Sequence, residues 1–198
     1  ISTQNIDLIY KIADNKRVYQ QYIGKRLKFE SEYTHLPLGK EIYLTHGMED
    51  YYEPAIHILH NDGNPSLLLN YETHKVSKNP DGSIETIICL RDNTYPVKVN
   101  LHYISYPEQD IIKTYTKIQH NEKQPVTLYK YASSLLHFTN DAYFLTEFAG
   151  NWAHEVNMTE SQLSYGKKVL DTKLGSRANM FCSPFFILSF DKPAAEEE

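Results

Sequence analysis

Any chemistry in this chain has to come from a few polar and aromatic clusters. Asp50, Glu53, Glu147, Glu155, Glu160 and Asp171 lie beside aromatic residues or in polar stretches. Two carboxyls held roughly 5 to 9 Å apart across a sugar bond can perform glycoside hydrolysis, one as acid and the other as nucleophile or base. With 25 Asp and Glu in the chain, such neighbours arise by chance, and solvated acids at strand edges are the plainer expectation. His57 and His60, in "HILH", suggest a metal site, but in a strand residues three apart point to opposite faces. No carboxylate spacing completes a ligand set, so the two are expected to run into an exposed turn at Asn61 to Asn64. There is no GxSxG elbow, P-loop, GxGxxG or HExxH motif. Neither Cys89 nor Cys182 sits in a ligand or redox spacing, and no cofactor or metal is implied.

Three stretches mix rings with polar groups. "THGMEDYYEPA", residues 45 to 55, crowds two tyrosines against three acids and contains Asp50 and Tyr52; "FAGNWAHEVNMTE", residues 148 to 160, holds Asn151 and the only tryptophan, Trp152; "LGSRANMFCSPFF", residues 174 to 186, sets Arg177 ahead of several rings. Aromatic faces stack on the apolar side of a sugar or partner while amides and acids take hydroxyls, so each stretch suits a sugar-binding edge or a domain interface. Plain core packing is an equal reading for Trp152. Asn157-Met158-Thr159 fits the N-x-T glycosylation triplet, a pattern too common to carry weight.

The elements that must position these residues are strands. Hydrophobic residues are 41% of the chain and charged residues 23%, enough apolar material for a sizeable core. The dominant period is two. In "YPVKVNLHY", Tyr95, Val97, Val99, Leu101 and Tyr103 share one face, and Pro96, Lys98, Asn100 and His102 the other. "SIETIICL" alternates in the same way after "NPDG", where Pro presets a turn and Gly supplies positive φ. Ile6 to Ile12 and Val18 to Ile23 flank "ADNK" as another hairpin, and "HNDGN" marks a third turn. Further strands are expected at Ile111 to Gln119, Val126 to Phe138 and Phe185 to Phe190. Helix is scarce; "NMTESQLSYG" is the best candidate, with Thr159 as the cap of a short helix ending before Gly166. Roughly twelve strands curl or split rather than form one flat sheet, which predicts an all-β, large antiparallel sandwich.

Composition also excludes partners. Net charge is −5 with no Lys/Arg cluster, which argues against nucleic acid. No apolar run reaches the roughly 20 residues of a membrane helix. The N-terminal "ISTQNIDLIYKIADNK" has no signal-peptide layout.

The order of the stretches is itself informative. "YFLTEFAGNWAHEVNMTESQLSYGKKVLDTKLGSRANMFCSPFFILSFDKPAAEEE" resembles the N-terminal domain of family 36 glycoside hydrolases, the large microbial α-galactosidases, most closely over Phe144 to Asp191. "YYEPA", Tyr51 to Ala55, stands where the family carries an aromatic-x-Glu-Pro-Ala or aromatic-x-Ser-Pro-Ala segment. The resemblance implies a β-supersandwich of the galactose mutarotase type over residues 1–191, with 192–198 beginning a linker to a (β/α)₈ barrel. In the family that barrel supplies both aspartates of a retaining mechanism. The nucleophile there sits in a Lys-Trp-Asp type motif, whereas Trp152 is preceded by Asn151 and followed by Ala153. The expectation is therefore an excised, non-catalytic domain. Family members often carry Arg in an aspartate-aromatic-Arg segment thought to reach a neighbouring subunit's active site. Here Asp50 matches and Tyr52 replaces the Arg.

The resemblance gives this chain three partners: its own barrel, a galactoside through the parent enzyme, and further copies in a homo-oligomer. Asp50, Tyr52, Asn151, Trp152 and Arg177 are the candidates for the substrate rim or an interface. A free-standing carbohydrate-binding module using the same aromatics is the alternative. A mutarotase-like enzyme would instead need a His and a carboxylate in acid/base roles on one sheet; His102 and His137 are available, and no spacing selects them. A glycan-scavenging context places the parent in the periplasm or outside the cell, although the sequence carries no address and a cytoplasmic one stays open.

Overall fold

Alternation does fold as strand. The computed structural model describes residues 1–48, 52–139, 142–171 and 181–192. The chain divides into two compact units, Ile1–Phe138 and Thr139–Glu198. Unit 1 contains β1 (Ile6–Ile12), β2 (Val18–Lys25), α1 (Glu30–Thr34), β3 (Ile56–Leu59), β4 (Leu69–Lys78), β5 (Ile84–Asp92), β6 (Val97–Tyr106), β7 (Ile111–His120) and β8 (Thr127–Tyr131). Unit 2 contains β9 (Tyr143–Asn151), β10 (His154–Gln162) and β11 (Cys182–Phe190). These strands form the sheets β1-β2, β3-β8, β4-β5-β6-β7 and β10-β9-β11, with every pairing antiparallel. The fold is thus the expected all-β, antiparallel architecture with little helix.

Turn chemistry sets the hairpins. Between β1 and β2, the Asn15 carboxamide oxygen accepts the Arg17 N–H at 3.0 Å while Lys16 takes φ 61°. Between β4 and β5, Gly82 takes φ 85° and the Asp81 carboxylate accepts the Ser83 N–H at 3.0 Å. The inner face of β6 is the sequence-expected one: Val97 and Val99 are fully buried, with Leu101 and Tyr103 beside them. They meet Leu8 and Val18 of the first hairpin, Ile56 and Ile58 of β3, and Ile88 and Leu90 of β5 in one core. Burying each such aliphatic side chain stabilises the fold by about 1.5–3 kcal/mol.

Two local expectations are corrected. "NMTESQLSYG" is not helical: most of it lies in β10, because Met158 to Gln162 find hydrogen-bonding partners on β9 from Phe148 to Phe144, and that ladder overrides a weak cap. Val126 to Phe138 is strand only over Thr127–Tyr131. The short helix that does exist, α1, is anchored by the Glu32 carboxylate, which accepts the N–H groups of Lys28 and Phe29 at 2.8 Å.

Candidate functional site

The hairpin joining β9 to β10 carries two of the five expected site residues. The Asn151 side-chain oxygen accepts the Trp152 N–H at 2.7 Å, and Ala153 takes φ 59°, so the chain reverses with the indole turned outward, 78% exposed. Val156, also at positive φ (59°), falls in the irregular stretch between His154 and Asn157, and the Asn157 amide ties that stretch to the His154 carbonyl at 3.0 Å. Met158 on β10 and Phe185 and Phe186 on β11 are exposed as well. Trp152 is therefore a presented ring, and the core-packing alternative fails for it among the described residues. Trp152 and Asn151 offer stacking area beside an amide, the pairing a sugar ring or a polar-rimmed partner surface requires.

Tyr52 belongs to unit 1. Its ring, 47% exposed, lies under the Lys40 ammonium, whose Nζ is 3.7 Å from the ring centroid. Nearby in the chain, His46 and His57 stack with ring centroids 3.8 Å apart, and Tyr129 leans on His57 at 5.0 Å. Burial, and then the neighbouring His46, push the His57 pKa below its ordinary value. Glu53 pairs with Lys130. Asp50 and Arg177 lie outside the described residues.

The remaining carboxylates are individually engaged or solvated. Glu147 pairs with Lys168 at 2.9 Å and Glu160 accepts the Thr146 hydroxyl at 3.0 Å, while Glu155 and Asp171 are exposed. Among the described residues no group of three His, Cys, Asp or Glu side chains converges as metal ligands would.

Two histidines differ from the sequence expectation. His60 does not run into solvent: it is 3% exposed, with Nδ1 2.7 Å from Glu122 and Nε2 2.9 Å from the Ser66 carbonyl oxygen. His102 is paired with a carboxylate no spacing had selected: Nδ1 lies 2.9 Å from Glu85, which also accepts the Tyr115 hydroxyl at 3.2 Å, and Tyr115 stacks on the imidazole at 4.3 Å. The His102 hydrogen bond holds the Glu85 pKa down. Alternation had put Glu85 and His102 on the polar faces of their strands; only the β5–β6 register makes them neighbours. His102 Nε2 has no partner but is buried, so the dyad opens neither ring nitrogen to a substrate. The His137 ring bonds the Glu41 carbonyl at 2.7 Å, a structural role.

Comparison with known proteins adds a family. Residues 13–198 match the model described as the glycosyl hydrolase family 36 N-terminal domain. The chain is 24% identical over 155 residues to α-galactosidase 2 of Hypocrea jecorina, covering 72% of this chain and 21% of that protein. It is 26% identical over 177 residues to α-galactosidase 2 of Pediococcus pentosaceus, covering 82% of this chain and 24% of that one. Among solved structures, the α-galactosidase of Lactobacillus brevis superposes with a TM-score of 0.86 at 19% identity, over 96% of this chain and 30% of its own. A variant of the α-galactosidase AgaA from Geobacillus stearothermophilus, in complex with raffinose, gives 0.85 at 17%, over 95% and 31%. The chain thus spans about a fifth to a quarter of the curated relatives it matches.

Proposed function

The chain belongs to the family of glycosyl hydrolase family 36 N-terminal domains, and on that footing we propose that it is the non-catalytic N-terminal domain of a retaining α-galactosidase acting on terminal α-linked galactose in oligosaccharides. The observation that carries this is the match over residues 13–198, together with relatives named α-galactosidase of which the chain covers 21% and 24%. In this proposal the catalytic aspartates belong to a barrel beyond the matched part, and residues 192–198 begin the connection to it. The domain supports that barrel and the assembly of subunits. Asp50, Tyr52, Asn151, Trp152 and Arg177 contribute to an interface or to the rim of the galactoside pocket. The exposed Trp152 ring supports this part of the proposal, since a large ring held 78% in solvent gains from being covered.

The test is hydrolysis of a chromogenic α-galactoside by the 198-residue chain, beside the longer product of its gene. Activity confined to the longer product is the expected result. In that product Trp152→Ala and Tyr52→Ala should raise KM several-fold more than they change kcat, as loss of rim binding does. Turnover by the 198-residue chain alone overturns the proposal and returns attention to its own carboxylates.

A further inference from the structure

The outer face of the β4–β7 sheet carries a second polar site, wholly inside unit 1. Asn70, Arg91, Lys98 and Gln119 are register partners across the four strands, one transverse row on a single face. At ordinary strand spacing that row runs about 14 Å. Two adjoining cavities follow it. One, of about 490 Å³, is lined by Lys16, Asn70, Tyr71, Glu72, Arg91 and Asn93. The other, of about 440 Å³, has Arg91 in common with it and is closed by Pro96, Lys98, Gln119, His120 and Asn121. Each falls within the roughly 300–1,000 Å³ typical of ligand clefts.

A bulge adjoins the row. The β4–β5 register shifts between Tyr71 and Thr73, leaving Glu72 as the extra residue. Its carboxylate reaches over the face and accepts from Arg91 at 3.1 Å and from Lys98 at 3.0 Å. These side chains remain open, with Arg91 52%, Lys98 45% and Glu72 32% exposed. Exposed pairs of this kind add little to stability. The amides of Asn70, Asn93, Gln119 and Asn121 make no side-chain hydrogen bond among the described residues.

The walls are pinned in place. The Tyr71 N–H donates to the Lys16 carbonyl at 2.6 Å and the Asn121 N–H to the Pro96 carbonyl at 2.9 Å. Asp92 holds the 93–96 turn by accepting the Thr94 N–H at 2.6 Å and the Tyr95 N–H at 2.7 Å. A groove ordered before it binds gives up less entropy to its ligand.

We propose that this trough binds a neutral oligosaccharide, as a saccharide site additional to the rim residues. A hydroxyl both donates and accepts. The trough meets that need with guanidinium and ammonium donors, one carboxylate acceptor and four free amides that do either. An anion suits it less, because any anion approaching Arg91 or Lys98 also meets the Glu72 carboxylate they already hold. The proposal does not depend on the hydrolase assignment, since binding to the 198-residue chain involves no turnover.

The test is saturation-transfer NMR and titration calorimetry of the chain with stachyose, with Tyr165→Ala as a surface control and circular dichroism to confirm that each variant is folded. Weak saccharide binding is expected, reduced about tenfold or more by Arg91→Ala and measurably by the mild Asn121→Ala, and unaffected by Tyr165→Ala or by sodium sulfate at constant ionic strength. Absence of binding overturns the proposal. So does binding that survives both trough variants, binding lost instead in Trp152→Ala, or displacement of the sugar by sulfate, which would mark an anion site.

Discussion

Replacing Glu122 by alanine should expose how much of unit 1 rests on one concealed His60–Glu122 contact. The His60 and Glu122 side chains are 0% and 2% exposed. His60 faces two acceptors, the Glu122 carboxylate at 2.7 Å and the Ser66 carbonyl at 2.9 Å, so a single neutral tautomer satisfies only one of them. Glu122 also accepts the Asn61 N–H at 3.1 Å. Alanine removes both bonds; the Asn61 N–H is open to water, but the His60 ring is left without its carboxylate in a shielded site, a loss of about 1–3 kcal/mol, which lowers Tm by about 2–10 °C in a chain of this size. Glutamine is different. Its amide N–H can donate to an unprotonated Nδ1 while its oxygen keeps the Asn61 bond, so Glu122→Gln should lose less than about 1 kcal/mol at neutral pH. Burial pushes the Glu122 pKa up, but the bonds from His60 and Asn61 outweigh burial and hold it below the ordinary value. A carboxylate with a lowered folded pKa adds stability above its unfolded pKa and loses it as the pH falls through the folded value. The advantage of the native chain over Glu122→Gln should therefore be complete above about pH 5 and shrink on acidification below about pH 4. Urea denaturation of the three proteins across pH measures this. A loss under about 0.5 kcal/mol for Glu122→Ala, equal losses for Ala and Gln, or an advantage that grows on acidification would refute the reasoning.

Two further outcomes are expected. A Cβ on Gly39 would stand 2.0 Å from the Gln20 carbonyl oxygen, so Gly39→Ala should destabilise by about 1–3 kcal/mol as the chain is forced away from β2; an unchanged urea midpoint would contradict that approach. Trp152→Ala should change the stability of the 198-residue chain by less than about 0.5 kcal/mol, because the ring is 78% exposed. A large loss of Tm would show that the ring has a structural partner.

Much of this protein could be read from local patterns, because alternation and turn chemistry act over a few residues. "ADNK" and "NPDG" form the turns their residue types dictate, and the Val97 to Tyr103 alternation faces the core as expected. Family membership was legible in the Phe144 to Asp191 stretch, whose residue order resembles that of the α-galactosidases, as the match over residues 13–198 confirms. The misses share a physical cause. "NMTESQLSYG" has weak local preferences, and β9 supplies the hydrogen bonds that make most of it strand. The burial of His60 depends on Glu122, 62 residues away, and the pairing of His102 with Glu85 on strand register. The Arg91–Glu72–Lys98 pairings depend on register, which sets Arg91 of β5 opposite Lys98 of β6 within reach of Glu72 on β4. Residue types and their periodicity determined which segments become strands and which side of each is apolar. Which polar groups then meet was decided by register, bulges and long-range pairing, since contacts between distant residues depend on how whole sheets align.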